Sequence, residues 1–338
     1  MTDAKKIITL TLDPSLDRTL ATHYLAVGYH NQTEAQTSLH PAGKSVNIAR
    51  AINQLGVYTH AIIVLGEDAT GRAYQLLVQE EGYQVSIIRR PGYTRSNTII
   101  LDTGNQNETQ ITEAVAAITQ ATLEEVSKTL KGQLNPDDWV VYAGAMPEGT
   151  ETHVYSWLTE TAQSAGANVT VAEVGGALSD VLTARPNRVA MRRLEGAADF
   201  NYPVRTLGDL YGCGQALIKD GAQHVLMIMR PTNEAILLTG SEDWHLQLPE
   251  LDSGTQSGLW DTVLAGYLTG RINQQDHRDA LATAAAAAHF FSEQVGHVFG
   301  SLEDIAPYRE AAQVRPVDEV LAEREERGRP DAEQAESS

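Results

Sequence analysis

The chain has 338 residues, of which 42% are hydrophobic and 20% charged, a composition typical of a globular protein. Its formal net charge of −19 argues against nucleic-acid binding, because proteins that bind nucleic acids present basic surfaces. No apolar run approaches the roughly 18 residues of a membrane span. A single cysteine, Cys213, excludes an internal disulfide, so we expect a cytoplasmic protein without membrane contact.

Short apolar, β-branched runs alternate with helical patterns along most of the chain. Strands are predicted at Ile7–Leu12, Thr59–Leu65, Trp139–Ala143, Asn168–Val174 and His224–Met229. Helices are predicted at Asn47–Leu55, Gly71–Glu81, Leu123–Leu130, Thr152–Ala165, Leu207–Lys219 and Asp279–Phe291. The alternation predicts an α/β fold with a mostly parallel sheet that is covered by helices on both faces.

Two segments interrupt this alternation. Thr19–Leu39 and Pro91–Thr112 are rich in Thr, Tyr and Asn, and their alternation favours strands of a small second sheet. Residues 313–338 are dense in charge and are predicted to be a disordered tail. We therefore predict one domain over residues 1–312, with lid strands within about 17–40 and 90–112 that can close over a site.

Polar residues follow the first predicted strand and continue into the first helix. Asp17 lies just beyond the strand, where ligands bind in open α/β sheets. Gly43 allows a ligand to approach the backbone, Lys44 supplies a point charge, and Asn47 offers a donor and an acceptor in the first helical turn. The Gly-Lys-Ser run is not a P-loop, because Ser38 stands where that motif has its first glycine.

In the second interrupting segment, Arg95 and Asn97 alternate along a predicted strand and so share one face. An arginine can bind phosphate through two parallel hydrogen bonds. The alternative is an ordinary solvent-exposed arginine on a strand.

The most informative run is Gly258-Leu259-Trp260-Asp261 at the start of a helix rich in Ala, Leu and Gly. The first amides of a helix lack intrahelical partners and favour anions such as phosphate. A carboxylate at that position is well placed to take a proton from an attacking hydroxyl. Asp261 is thus a candidate general base, and the amides of Gly258, Leu259 and Trp260 are a candidate anion hole.

Together these segments resemble the ribokinase-like (PfkB) carbohydrate kinases over residues 7 to about 300, and most closely the 1-phosphofructokinase/tagatose-6-phosphate kinase branch. That branch has a Gly-Gly-Lys-Gly-hydrophobic-Asn-Val-Ala block, a Thr-Arg-hydrophobic-Asn strand and a Gly-Ala-Gly-Asp run. The resemblance implies a three-layer α/β/α sandwich with a small β-sheet lid, through which such proteins often form homodimers. It implies ATP and Mg²⁺ as cofactors, with a phosphorylated sugar and a nucleotide triphosphate as partners. It implies substrate binding by Asp17, Gly43, Lys44, Asn47, Arg95 and Asn97, nucleotide contacts by Asn187 and Arg230, and Asp261 as the catalytic base.

Several positions depart from the family pattern on the nucleotide side. Ala190 replaces the glutamate of Lys-Pro-Asn-x-x-Glu, which helps to place magnesium, and Arg230-Pro231 replaces a Leu-Gly pair along the nucleotide. Leu259 and Trp260 replace Ala-Gly, and the indole of Trp260 either projects toward the γ-phosphate, stacks on a ring or packs in the core. No metal ligand is assigned. Three hypotheses follow: a sugar-phosphate kinase, a pseudokinase that binds a sugar phosphate as a sensor or regulatory subunit, and an enzyme with another donor or reaction.

Overall fold

The computed structural model describes residues 5–34, 37–114, 117–192, 204–229, 233–248, 258–294 and 298–328. The elements in chain order are β1 (Ile7–Thr11), β2 (Ser15–Thr22), β3 (Thr37–Ala42), α1 (Lys44–Gln54), β4 (Thr59–Gly66), α2 (Ala69–Gln79), β5 (Gln84–Arg90), β6 (Arg95–Asp102), β7 (Asn107–Thr112), α3 (Gln120–Gln133), β8 (Trp139–Ala143), α4 (Val154–Ser164), β9 (Asn168–Ala172), α5 (Leu178–Thr183), β10 (Arg188–Arg192), α6 (Leu207–Asp220), β11 (His224–Met229), β12 (Glu234–Leu238), β13 (Trp244–Gln247), α7 (Leu259–Ile272), α8 (His277–Ser292), α9 (Leu302–Arg309), β14 (Gln313–Pro316) and α10 (Val317–Gly328).

Within these ranges, ten strands form one sheet in the order β14-β13-β12-β11-β10-β9-β8-β1-β4-β5. Within this sheet, neighbouring strands pair in parallel along the run β11-β10-β9-β8-β1-β4-β5. Strands β12, β13 and β14 extend the edge beyond β11 in antiparallel pairs. One face packs against α3, α4, α5 and α6, and the other against α1, α7 and α8. The predicted α/β/α sandwich with a mostly parallel sheet is confirmed.

The two segments that interrupt the alternation form a second sheet in the order β3-β2-β6-β7. Strand β2 continues directly from β1, and β3 leads directly into α1. This short connection fixes the small sheet, which we call the lid, beside the carboxyl end of β1. Strand β7, at the edge of the lid, is exposed along its whole length.

The prediction of a disordered tail from residue 313 is wrong for residues 313–328. Strand β14 pairs with β13, and α10 follows it directly. Val314, Val317 and Val320 are buried, and the last two lie one helical turn apart. Arg324 also forms an ion pair with Glu234 of β12. The dense charge therefore marks the exposed face of α10, whose Val317 and Val320 are buried, while Val314 is buried in β14. Residues 329–338 lie outside the described residues.

In the part of the chain that the structure describes, no helix is long and apolar enough to cross a lipid bilayer.

Candidate active site

A cavity of about 830 Å³ lies between the main sheet and the lid. Parallel strands bring their carboxyl ends to one edge of a sheet, and this is the edge that the cavity occupies. Most of the predicted substrate and anion residues line it, namely Asp17, Gly43, Lys44, Asn47, Arg95, Asn97, Gly258, Trp260 and Asp261. The cavity therefore brings together predicted site residues that lie up to 244 positions apart in the chain, from Asp17 to Asp261.

The floor of this cavity is the amino end of α7. Gly258 precedes the helix with φ 95°, a left-handed conformation that favours glycine. The first intrahelical bond runs from the Thr262 amide to the Gly258 carbonyl at 2.9 Å. Among the described residues, which leave out the stretch 249–257 just before α7, no side chain caps the helix. The first amides of a helix favour an anion, and the family resemblance implies that use here. Leu259 and Trp260 are helical, so the left-handed conformation falls on Gly258, where the lack of a side chain allows it without strain.

Trp260 is a core residue. Its side chain is 4% exposed and packs with Ala143, Ile228 and Leu259 beneath the sheet. An edge of the residue reaches both the large cavity and a smaller one beside it. Of the three uses considered for this indole, the structure places it in the core.

Asp261 is buried and held by a hydrogen-bonded relay on α1. The Asn47 Nδ2 donates to Asp261 Oδ2 at 3.0 Å, and the Arg50 Nη1 donates to Asn47 Oδ1 at 3.2 Å. Because Arg50 occupies the amide oxygen, the amide nitrogen must face the carboxylate. Burial raises the pKa of Asp261 above its ordinary value, although Lys44 and the bond from Asn47 lower it. A raised pKa suits a carboxylate that must remove a proton near neutral pH.

The lid side of the cavity is a chain of polar side chains. Asp17 Oδ1 accepts from Ser15 Oγ at 2.7 Å and from Asn97 Nδ2 at 2.8 Å. Arg95 Nη1 donates to Asn97 Oδ1 at 3.1 Å, and its Nε donates to Asp13 Oδ1 at 2.9 Å. Burial raises the pKa of Asp17 despite these donors. The arrangement presents fixed acceptors for hydroxyl groups, with one guanidinium at its end.

Gly43 lies where the lid meets α1, with φ 133°. A Cβ atom at this position would lie 3.0 Å from Thr11 Cγ2 and 3.4 Å from Pro14 Cα. The left-handed φ and the close packing both require glycine here, so the backbone itself forms this wall of the cavity.

A three-residue ion cluster lies above Asp261. Glu173, the first residue after β9, pairs with Lys44 and with Arg192, whose Nη2 donates to Glu173 Oε2 at 3.0 Å. Glu173 has φ 51°, an unusual conformation for a residue that is not glycine. Burial alone would raise the pKa of Glu173, but Lys44 and Arg192 hold it below its ordinary value. The carboxylate is therefore ionised and already neutralised by two cations.

The structure does not bring Asn187 to the cavity. Asn187 precedes β10, so it lies at the opposite edge of the sheet, five residue steps or roughly 16 Å from Arg192. Its Oδ1 accepts from the Val169 amide at 2.8 Å, and its Nδ2 donates to Gln223 Oε1 at 3.1 Å. These contacts join neighbouring loops, and the nucleotide contact expected from the family pattern does not follow from this position. Arg230 and Pro231, the other nucleotide-side prediction, lie outside the described residues.

The residues that are present do not fit a magnesium ion held by the protein. Among the described residues, no three His, Cys, Asp or Glu side chains are grouped so that they can hold a metal. Ala190 contributes a methyl group to a small cavity of about 20 Å³, and the nearby Glu173 is engaged by Lys44 and Arg192. Mg²⁺ requires octahedral oxygen ligands, and two adjacent cations repel it.

Sequence reasoning missed two arginines that contact residues of this site. Arg50 lies one helical turn after Asn47, a spacing that places the two side chains side by side. Arg192 lies two residues after Ala190 on β10 and therefore on the same face of the strand. Both spacings are visible in the sequence, but neither shows by itself that Arg50 contacts Asn47 or that Arg192 lines the cavity.

Comparisons with known proteins identify the family of this chain. The model of the pfkB family carbohydrate kinases matches residues 14–304. A 1-phosphofructokinase of Vibrio cholerae is 27% identical over 312 residues, which cover 92% of this chain and 96% of the relative. A tagatose-6-phosphate kinase of Staphylococcus epidermidis is 24% identical and covers 86% of this chain and 94% of its own. The structure of Escherichia coli phosphofructokinase-2 in complex with potassium superposes with a TM-score of 0.82 at 22% identity, covering 91% of this chain and 99% of that one. With a family model that spans most of its length, the chain belongs to the pfkB family of carbohydrate kinases.

Proposed function

We infer that this protein is a kinase that transfers a phosphoryl group from ATP to a sugar phosphate, of the 1-phosphofructokinase or tagatose-6-phosphate kinase type. The observation that supports this most directly is the buried Asp261, held by Asn47 in the first turn of α7. That carboxylate faces the same cavity as the polar residues of the lid. Relatives with these two names match most of the chain.

The acceptor binds between the lid and α1. Asp17 and Asn97 are already fixed by mutual hydrogen bonds, so they can accept and donate to sugar hydroxyls without losing further side-chain freedom. Arg95 binds the phosphate that the acceptor already has, and it can exchange its contact with Asp13 for the stronger fork to a phosphate. Lid residues of β7, including Asn107 and Gln110, line the same cavity and limit the entry of water.

The transfer step follows from the position of Asp261. Its carboxylate takes the proton from the acceptor hydroxyl, whose oxygen then bonds to the γ-phosphorus of ATP. The bond from that phosphorus to the bridging oxygen breaks, and its electron pair leaves with ADP. The amides of Gly258, Leu259 and Trp260 hold the transferring group, and this positioning with charge neutralisation supplies most of the catalysis in phosphoryl transfer.

A second candidate function is a protein that binds a sugar phosphate without efficient transfer. The methyl group of Ala190 and the small volume beside it, about 20 Å³, favour this alternative. Loss of an anion-hole donor costs about a hundredfold to a thousandfold in rate, so a poorly placed donor would leave binding intact while slowing turnover.

A coupled assay separates the two functions. ADP formation is measured with ATP and each of fructose 1-phosphate, tagatose 6-phosphate and fructose 6-phosphate. The kinase function requires turnover with at least one acceptor and its loss in Asp261→Asn. Asp209→Asn is the matched control, because Asp209 occupies the same third position of a helix, α6, and forms a capping box away from the cavity. Calorimetric binding of a sugar phosphate without turnover from any acceptor would instead support the second function.

The role of Arg95 is tested separately. Arg95→Ala is expected to weaken binding of the phosphorylated sugar about tenfold or more, because it removes a charge-assisted bond, and to leave binding of the unphosphorylated sugar unchanged. Equal affinity of the variant and the native protein for the phosphosugar would refute the assignment of the acceptor phosphate.

A further inference from the structure

The cations above Asp261 have no assigned partner other than a glutamate. Lys44 and Arg192 both pair with Glu173, and all three side chains retain between 13% and 31% of their exposure. Lys44 and Arg192 line both the large cavity and the smaller one beside Ala190. The cluster thus lies on the boundary between the acceptor cavity and the space around β10.

Two residues of β10, Ala190 and Arg192, lie beside this cluster. At position 190, alanine stands where the family pattern has the glutamate that helps to place a metal. Two residues further along, nearer the carboxyl end of β10, Arg192 places a guanidinium on the same face of the strand. A site that loses a metal-placing acid has lost positive charge near the phosphates. The guanidinium restores positive charge at the same edge of the sheet.

We propose that Arg192, assisted by Lys44, binds the phosphates of the donor nucleotide directly and neutralises the charge that a protein-held magnesium ion would otherwise neutralise. Without ligand, Glu173 holds both cations in place. When the polyphosphate enters, its oxygens compete with Glu173 for the guanidinium, which binds phosphate through two parallel bonds. This inference rests on the proposed kinase function and specifies how its donor is bound.

The charges near the base support this arrangement. Lys44 and Arg192 both lower the pKa of Asp261, whereas Glu173 raises it, and burial exceeds all three. The same two cations are therefore close enough to the general base to act on charge that develops beside it. In other phosphoryl-transfer enzymes, one arginine that stabilises the charge on the transferring phosphoryl group contributes about a thousandfold or more to kcat.

The first test measures ATP binding by calorimetry in EDTA. Native protein is expected to bind ATP without a divalent cation, Arg192→Ala to bind it about tenfold to a hundredfold more weakly, and Arg192→Lys to fall between, because lysine retains charge but loses the fork. Arg315→Ala is the matched control, since Arg315 also pairs with a glutamate, Glu323, but lies in β14. No ATP binding by the native protein in EDTA, or equal binding by Arg192→Ala, would overturn the inference.

Glu173→Gln gives a prediction of opposite sign. Removal of the competing carboxylate charge should tighten ATP binding in EDTA severalfold, whereas a metal-ligating Glu173 would give weaker binding of ATP in the presence of Mg²⁺. If Glu173→Gln weakens ATP binding in the presence of Mg²⁺ and does not tighten it in EDTA, the proposed role of Arg192 is refuted as well.

Sugar-phosphate binding distinguishes this inference from the proposed function. Arg192→Ala should bind the phosphosugar as the native protein does; a defect confined to the phosphosugar would place Arg192 on the acceptor side and contradict the proposal. If the native protein turns over and Arg192→Ala turns over equally fast, the kinase function is supported but Arg192 does not take part in it. Failure of the native protein to bind ATP in any buffer would remove both.

Discussion

The hydrogen bond between Asn47 and Asp261 should be visible in the pH dependence of catalysis. The bond is 3.0 Å long and buried, and it stabilises the ionised form of a carboxylate whose pKa burial has raised. Asn47→Leu removes this donor at similar side-chain volume. A hydrogen bond to a charged group contributes about 1.5–3 kcal/mol, and about 1.4 kcal/mol corresponds to tenfold in rate.

The sign follows from the role of Asp261 as a base. Without its donor, the carboxylate holds its proton more tightly, so its pKa rises further and the acid limb of the kcat/KM profile moves to higher pH. On that limb we expect a loss of about tenfold to a hundredfold relative to the native protein. The loss should shrink as the pH rises and Asp261 ionises. A remaining loss that is independent of pH would measure the contact of Asn47 with the sugar.

The matched control is Ser45→Ala on the same helix. Ser45 Oγ accepts from the Ala143 amide at 2.9 Å and donates to its carbonyl at 3.2 Å, so the variant also removes buried bonds near the site. It should lower the thermal midpoint without moving the acid limb. Initial rates from pH 5 to 9 with the coupled assay decide the matter. A uniform loss in Asn47→Leu at every pH would refute the claim that this bond tunes the base.

Three further predictions concern stability and assembly. Because burial raises the pKa of Asp261, ionisation of this carboxylate destabilises the fold as the pH rises above the ordinary value of 3.8. The thermal midpoint of Asp261→Asn should therefore match that of the native protein in acid and exceed it increasingly toward neutral pH. A lower midpoint of the variant at pH 7 would contradict this prediction. Gly266→Ala places a Cβ 2.7 Å from Ala284 Cα, so it should lower the free energy of unfolding by about 1–3 kcal/mol. Gly212→Ala places its Cβ in open space and should raise the free energy of unfolding by about 0.5–1 kcal/mol, because alanine favours a helix over glycine. Thermal midpoints that shift in the same direction in both variants would refute the packing argument. If the lid joins two copies through its exposed edge strand, Ile111→Lys should convert a dimer to a monomer in sedimentation equilibrium, and a monomeric native protein would exclude that interface.

The parts of the fold that could be read from the sequence are those that depend on local pattern. Five of the seven parallel strands within the described ranges appear as continuous apolar runs, and each predicted run lies within one or two residues of its strand, as His224–Met229 does. The parallel strands β5 and β10 were missed, because Gln84–Arg90 and Arg188–Arg192 begin and end with polar residues. The antiparallel edge was missed because its strands are short and partly polar; Trp244–Gln247 has four residues. The helix α10 was missed for a related reason, because its dense charge hid the two buried valines, Val317 and Val320, that pack it against the main domain.

The site divides in a similar way. Asp17, Asn47 and Asp261 could be predicted because each has a residue type and a local position that suit its chemistry. The contacts that tune them could not, because they join distant parts of the chain: Lys44 and Glu173 are 129 positions apart, by the difference of their numbers. A sequence shows which charges exist, but pairing between them depends on the packing of β9 and β10 beside α1.

The charge balance of the centre explains how so acidic a chain can bind two anions. Its net charge is −19, but exposed charges beyond about 8–10 Å are screened at physiological ionic strength. When Asp261 is ionised, as its proposed role as a base requires, Lys44 and Arg192 balance Glu173 and Asp261, and these four groups together carry no net charge. In the proposed reaction, proton transfer to Asp261 from the acceptor hydroxyl would leave the centre with one positive charge in excess, at the moment when negative charge develops on the transferring phosphoryl group. Capture of the proton by the base and stabilisation of that group are therefore coupled through the same two cations.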